Sequence, residues 1–191
     1  MTDQTFLTGH LLIAMPAMQD PNFARTVTYI CEHNEQGALG IVINRPLDID
    51  LGNLFDQLSL DSADPDLARQ PVLQGGPVHQ ERGFVLHEPA AASDPEFDAT
   101  IAVTDAIRVT TSQDILTAMA RGTGPRRAVV ALGYAGWGAG QLENEMIQNA
   151  WLSVPAAPRI IFETPFDQRW QEAARLIGID LSTLSHQAGH A

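Results

Sequence analysis

Residues 25–44 constrain the fold more than any other stretch of this chain, because they read as two short strands that must pair with each other. Arg25 to His33 alternates and is rich in β-branched and aromatic side chains. Val27, Tyr29, Cys31 and His33 fall on one face and Thr26, Thr28 and Glu32 on the other, with Ile30 the exception. Asn34-Glu35-Gln36-Gly37 supplies a turn, and Leu39 to Asn44 forms the second strand, stopped by Pro46. Hairpins this early in the chain favour α+β over a doubly wound parallel sheet.

Further strands are expected at Phe6 to Ala14, Pro71 to Leu73, Gly83 to His87, Thr100 to Thr104, Ile107 to Thr110, Arg127 to Leu132 and Arg159 to Phe162. Leu51, Leu54, Phe55 and Leu58 have the spacing of a short amphipathic helix. Asp61 to Gln70 reads as a polar loop. Thr111 and Asp114 resemble a capping box ahead of Ile115, Leu116 and Met119, and Gly122 ends that helix. Leu142, Met146, Ile147 and Ala150 form another stripe, ended before Pro155. The last helix has Thr164 as N-cap, Pro165 at N1 and a stripe of Phe166, Trp170, Ala173, Ala174 and Ile177, with Gly178 following it. The domain is expected to span residues 1–181, with 182–191 a loose polar tail.

The composition excludes several classes of function. The chain has 191 residues, enough for one domain with a sizeable core, and its 45% hydrophobic against 18% charged content excludes intrinsic disorder. All 11 basic residues are arginine. Without lysine there is no Schiff-base nucleophile and no Walker A phosphate loop. With 23 acidic residues the net charge is -12, and the arginines are scattered, which argues against direct nucleic-acid binding. One cysteine, Cys31, forbids an intramolecular disulfide and suits a reducing cytosol. Leu11 to Met15 is too short and lacks the basic flank of a signal peptide, and no run approaches the ~20 apolar residues of a membrane span. The chain is read as soluble and cytoplasmic.

Few segments could carry chemistry. Gly133-Tyr134-Ala135-Gly136-Trp137-Gly138-Ala139-Gly140 reads as a glycine loop between a strand and a helix. It is either a ligand or partner surface or a place where the backbone must turn sharply or pack closely. The spacing is not G-x-G-x-x-G, and Glu143 in the first helical turn would repel a phosphate. Gly75-Gly76-Pro77-Val78 is a tight turn that could also present backbone N–H groups. Cys31 beside His33 is a candidate redox thiol, set against a buried cysteine acting as a small hydrophobe. His186 and His190 have helical metal-pair spacing but no third ligand in the tail. Asp61, Asp64 and Asp66 lack the rest of a calcium loop. Glu143 and Glu145 do not face each other on a helix. There is no G-x-S-x-G elbow. No cofactor or metal is implied.

Taken in order, these segments resemble one family. Leu12-Ile13-Ala14-Met15-Pro16 with Asp20 and Phe23, Arg25 to Asn34, Gly37 to Pro46, Gly75 to Val78 and Gly83 to His87 carry the resemblance. So do Thr111 to Ile115, Leu132 to Glu145, Trp151, Trp170 and Gly189-His190-Ala191. The ordered set is similar to the bacterial YqgE/AlgH family, which bears a transcriptional-regulator label after a link to alginate production. The resemblance implies a single domain whose branched, mostly antiparallel sheet curls partly into a small barrel surrounded by helices. It brings no catalytic residues to carry over. The expected role is that of a non-enzymatic regulator acting through a protein or small-molecule partner. The alternatives are a Cys31/His33 thiol sensor, or an enzyme whose pocket lies where Gly75, Gly76 and Pro77 meet the glycine loop.

Overall fold

The computed structural model describes residues 5–187. Ten strands form one sheet: β1 (His10–Ala14), β2 (Val27–Asn34), β3 (Gly37–Val42), β4 (Pro46–Asp50), β5 (Pro71–Gln74), β6 (Val78–His87), β7 (Thr100–Ala102), β8 (Arg108–Thr110), β9 (Ala128–Gly138) and β10 (Trp151–Pro155). Among the described residues seven helices surround it: α1 (Leu51–Gln57), α2 (Pro65–Ala68), α3 (Asp114–Ala120), α4 (Gln141–Ile147), α5 (Pro158–Phe162), α6 (Arg169–Arg175) and α7 (Leu181–Gln187). The expected hairpin is β2–β3, paired antiparallel and closed by Asn34 opposite Gly37.

The main path of the sheet runs β10-β1-β2-β3-β9-β6-β8-β7. It branches at β9. That strand pairs antiparallel with β3 through Ala135–Gly138, antiparallel with β6 along its whole first half, and parallel with β5 at Ala131 and Leu132. The chain is thus a single mixed α+β domain with a branched, mostly antiparallel sheet. The barrel portion is a half-barrel, and its path stays open between β10 and β7.

Apolar side chains leave the sheet in three groups. On one face Leu11, Tyr29, Cys31, Ile41 and Ala131 pack against Ile160 and Ile161 of α5, Ala173 and Ala174 of α6 and Leu181 of α7. On the other, Leu12, Ile30, Ala135, Trp137 and Trp151 pack under Leu142 of α4. A third group joins Val72, Val85 and Val130 to Leu51 and Phe55 of α1 and Ile115 and Met119 of α3. Helix α1 starts where it does because Asp50 accepts from the Asn53 N–H at 2.8 Å while Asn53 Oδ1 accepts from the Asp50 N–H at 3.0 Å.

Several sequence expectations need correction. Residues 128–138 form one continuous eleven-residue strand, so most of the expected glycine loop is β9. Arg159 to Phe162 is helical, with Pro158 in the first turn of α5. The expected Leu142–Ala150 stripe ends at Ile147, and Trp151 begins β10. The polar stretch 61–70 contains α2, capped by Asp64 accepting from the Asp66 and Leu67 N–H groups. Thr111 does not cap α3. Asp114 instead ties the start of that helix to Ser112 and to the Asp98 N–H. Thr164 and Pro165 lead first into a short 3-10 turn, Phe166–Gln168, before α6 begins. The expected loose tail is helical through Gln187, because Leu181 is buried against the core and Leu184 packs on it. The His186 side chain and His190 lie outside the described residues.

His87, buried at the end of β6, is structural. Its Nδ1–H donates to the Glu88 carbonyl at 2.7 Å, and Nε2 accepts from the Thr110 hydroxyl at 2.6 Å. Burial lowers its pKa below the ordinary histidine value. Below about pH 6.5 the unfolded chain therefore binds more protons at this position than the folded one. The contribution of His87 to stability is full above about pH 6.5 and is lost as pH falls through the lower folded value. Unfolding free energies of wild type and His87→Gln, measured by urea denaturation from pH 7 to pH 5, should decline more steeply in wild type, by at most about 1.4 kcal/mol per pH unit.

Candidate functional site

The two glycine segments singled out in the sequence do meet in space, and they fill that space themselves. A Cβ on Gly75 would lie 2.3 Å from the Gly133 carbonyl oxygen, and one on Gly76 would lie 2.1 Å from the Tyr134 carbonyl carbon. Gly133, at φ +79°, would place a Cβ 2.4 Å from the Gly76 oxygen. The Gly75 N–H donates to the Leu132 carbonyl at 2.8 Å, and the Val42 N–H donates to the Gly75 carbonyl at 2.8 Å. This backbone-on-backbone crossing is where β5, β3 and β9 come together. Beside Gly76 and Pro77 there is only a shallow dent, without room for a water molecule.

Gly133 also reverses the pleat. Before it, Val129 and Ala131 face α5 and α6; after it, Ala135 and Trp137 face α4. Trp137 is consequently 6% exposed, set against Trp151 and Phe23 at ring distances of 6.1 and 6.0 Å. Gly136 and Gly138 are exposed in the strand, and Gly140 precedes α4 with φ +74°.

Cys31 and His33 do not share a face. Cys31 is the extra residue of a β-bulge, since Ile30 pairs with Gly40 and Glu32 with Leu39. The bulge leaves Cys31 in the core with Tyr29 and turns His33 to the opposite side. Burial, with the nearby Glu32 charge, pushes the Cys31 thiol up to about 12. His33 Nδ1 accepts the Leu7 N–H at 2.9 Å, so Nε2 carries the proton that is donated to Glu143 at 2.8 Å. The imidazole thus fastens α4 and the N-terminal segment to β2, and gives the thiol no assistance. Glu145, the neighbouring carboxylate, accepts from the Trp151 indole at 3.3 Å.

The large concave feature lies elsewhere. A cleft of about 650 Å³ opens between α1–α2 on one side and α5–α6 on the other, floored by Ala128–Val130 of β9 and rimmed by Gly122 to Arg127. Its charged residues are Asp64, Asp66 and Glu163 against Arg126, Arg127 and Arg169. In a chain with two acids for every arginine, that balance is locally unusual. Arg127 is held by Glu88 and Glu163, each at 3.4 Å, and Asp66 by Arg69 at 3.4 Å.

Arg169 differs from the others. It is 3% exposed, donates from Nε to the Thr164 carbonyl at 2.8 Å and from Nη1 to the Ile43 carbonyl at 2.6 Å, and lies 4.4 Å above the Phe166 ring. Among the described residues it has no carboxylate partner, and burial lowers its pKa to about 10. The sequence reading missed it, although a signal was present. Arg169 sits three residues after Phe166 and one before Trp170, on the apolar stripe that runs into α6.

The cleft lining contains no histidine, cysteine or serine. Its one hydroxyl, on Thr164, donates to the Arg159 carbonyl at 3.1 Å, so among the described residues no nucleophile there sits beside an imidazole base. Of the arginines outside the cleft, Arg108 and Arg175 are paired with glutamates, Arg45 with backbone carbonyls, and Arg25 and Arg82 lie over aromatic rings. No helix among the described residues is long and apolar enough to cross a membrane.

A family model described as AlgH-like matches residues 11–182. A UPF0301 protein of Nitrosospira multiformis is 55% identical over 185 residues, covering 97% of this chain and 97% of that protein. A UPF0301 protein of Nitrosococcus oceani is 50% identical over 191 residues, covering 100% of both. The solution structure of the AlgH protein from Pseudomonas aeruginosa superposes with a TM-score of 0.77 at 48% identity, over 100% of this chain and 99% of that one. A Corynebacterium diphtheriae protein of known crystal structure shares the fold, with a TM-score of 0.75 at 23% identity over 97% and 94% of the two chains.

Proposed function

We propose, from the premise that this chain belongs to the AlgH-like family, that it is a non-enzymatic regulator working through a bound partner, with the cleft as its ligand site. The observation that carries this reading is the cleft itself. It is large enough for a small molecule, has mixed polar and apolar walls, and among the described residues sets no hydroxyl or thiol beside an imidazole. Any influence on transcription then passes through the partner, because a chain of net charge -12 repels a DNA backbone. Seven of the eleven arginines are already engaged with carboxylates, carbonyls or rings outside the cleft or at its edge.

Native mass spectrometry of the full chain purified at endogenous expression from its host tests this reading. The expected result is a small-molecule adduct released on denaturation, or a stoichiometric protein partner. A bare mass, together with no reproducible cross-linked partner in cells, would overturn it.

A further inference from the structure

We propose that the cleft binds a small organic anion, whose carboxylate or phosphate group sits on Arg169 and Arg126 and whose apolar body lies against Phe162 and Phe166. The proposal rests on the cleft being the ligand site and adds the chemical class of the ligand. A guanidinium taken out of water is costly unless its charge and its donors are matched. Arg169 is 3% exposed, yet among the described residues its guanidinium donates to two neutral carbonyls, lies over a ring and has no carboxylate partner. Nη2 makes no hydrogen bond to the described residues. Arg169 lines the cleft, and the proposal places that unused edge of the fork against the incoming oxyanion.

Each carboxylate of the cleft already has a donor or cation of its own. Glu163 is held by Arg127 and Asp66 by Arg69. Asp64 is turned to the N–H groups of Asp66 and Leu67. Arg126, exposed on the rim, has no carboxylate or carbonyl partner among the described residues and supplies a second free positive charge. Phe162 and Phe166 are half-buried in the wall that carries Arg169.

The test is a titration of the full chain with phenylphosphate and with benzoate at constant ionic strength, with benzyl alcohol as the neutral comparator, followed by 1H–15N NMR. At least one anion should shift the Arg169 Nε–H and the amides of Phe162, Thr164 and Phe166 saturably, with a Kd on the order of 1 mM for a fragment of this size. Arg126→Ala, on the exposed rim, should weaken that binding about three- to tenfold. Arg169→Lys keeps the charge, loses the planar fork, and should weaken it more. If Arg169→Lys does not fold, Arg126→Ala decides. The proposal falls if neither anion gives saturable shifts, if benzyl alcohol gives the same ones, or if Arg126→Ala binds as wild type does. A neutral adduct or a protein partner found in the mass-spectrometry experiment, with no anion binding here, would sink the anion proposal and leave the regulator reading standing.

Discussion

Gly133→Ala is expected to cost about 4 kcal/mol or more, close to the whole stability of many single domains. Two effects add. Holding an alanine at φ +79° costs roughly 1–2 kcal/mol. The new Cβ would also lie 2.4 Å from the Gly76 carbonyl oxygen, a backbone atom that cannot swing aside. Gly76→Ala should be as severe, since its Cβ would fall 2.1 and 2.2 Å from the Tyr134 carbonyl carbon and oxygen. Gly140→Ala is the control. Its φ of +74° matches that of Gly133 but its Cβ would meet nothing within 4 Å, so only the conformational cost of about 1–2 kcal/mol applies. Thermal melts should separate the two classes by about 5–10 °C or more at 2–4 °C per kcal/mol for a chain of this length. Equal losses for Gly133→Ala and Gly140→Ala would show that the crossing of β5 and β9 is not close-packed.

Trp137→Ala should cost about 3–5 kcal/mol, the range for truncating a buried aromatic side chain. The indole is 6% exposed and meets Trp151 edge-on at 6.1 Å and Phe23 at 6.0 Å, beneath Leu142 of α4. Its removal should also broaden the packing around Trp151, visible as a change in near-ultraviolet circular dichroism. Gly136→Ala, one residue earlier in the same strand, should change stability by about 1 kcal/mol or less, because its Cβ would make only an ordinary 3.5 Å contact with the Tyr134 ring. The pair discriminates between two roles for the glycine-rich run. A partner surface centred on Trp137 predicts a folded Trp137→Ala with wild-type melting, whereas a packing role predicts the loss in urea or thermal denaturation.

The two corrected site readings share one cause. The period-2 rule assigns faces correctly only while the pleat is unbroken. In β2 it holds from Val27 to Cys31 and then fails at the bulge, so His33 lands opposite the face on which the alternation placed it. In β9 it fails at Gly133, so Trp137 changes sides and becomes core. A bulge has no reliable signal in a single sequence. The glycines of 133–140 looked like a loop because they interrupt the apolar alternation, yet three of them lie within an eleven-residue strand. Ile160 and Ile161 misled in the other direction. A four-residue segment with two adjacent β-branched residues is too short for helical periodicity, and only Pro158 at the helix start hinted at α5.

Local chemistry in the sequence was enough to determine the α+β class, the β2–β3 hairpin, the amphipathic stripes of α1 and α3, and the family resemblance. The hairpin and the stripes depend on residues within a few positions of one another, and the resemblance on the order of such short segments along the chain. Tertiary structure alone decided that Gly76 and Gly133 must be bare because two strands cross there, and that Cys31 and His33 part company. It also decided that Arg169 is stranded between the Ile43 and Thr164 carbonyls at the wall of a cleft. Those features are contacts between segments as much as 126 residues apart, and they arise from sheet register and helix docking. No propensity or periodicity encodes the distance between two points on a chain that meet only after it has folded.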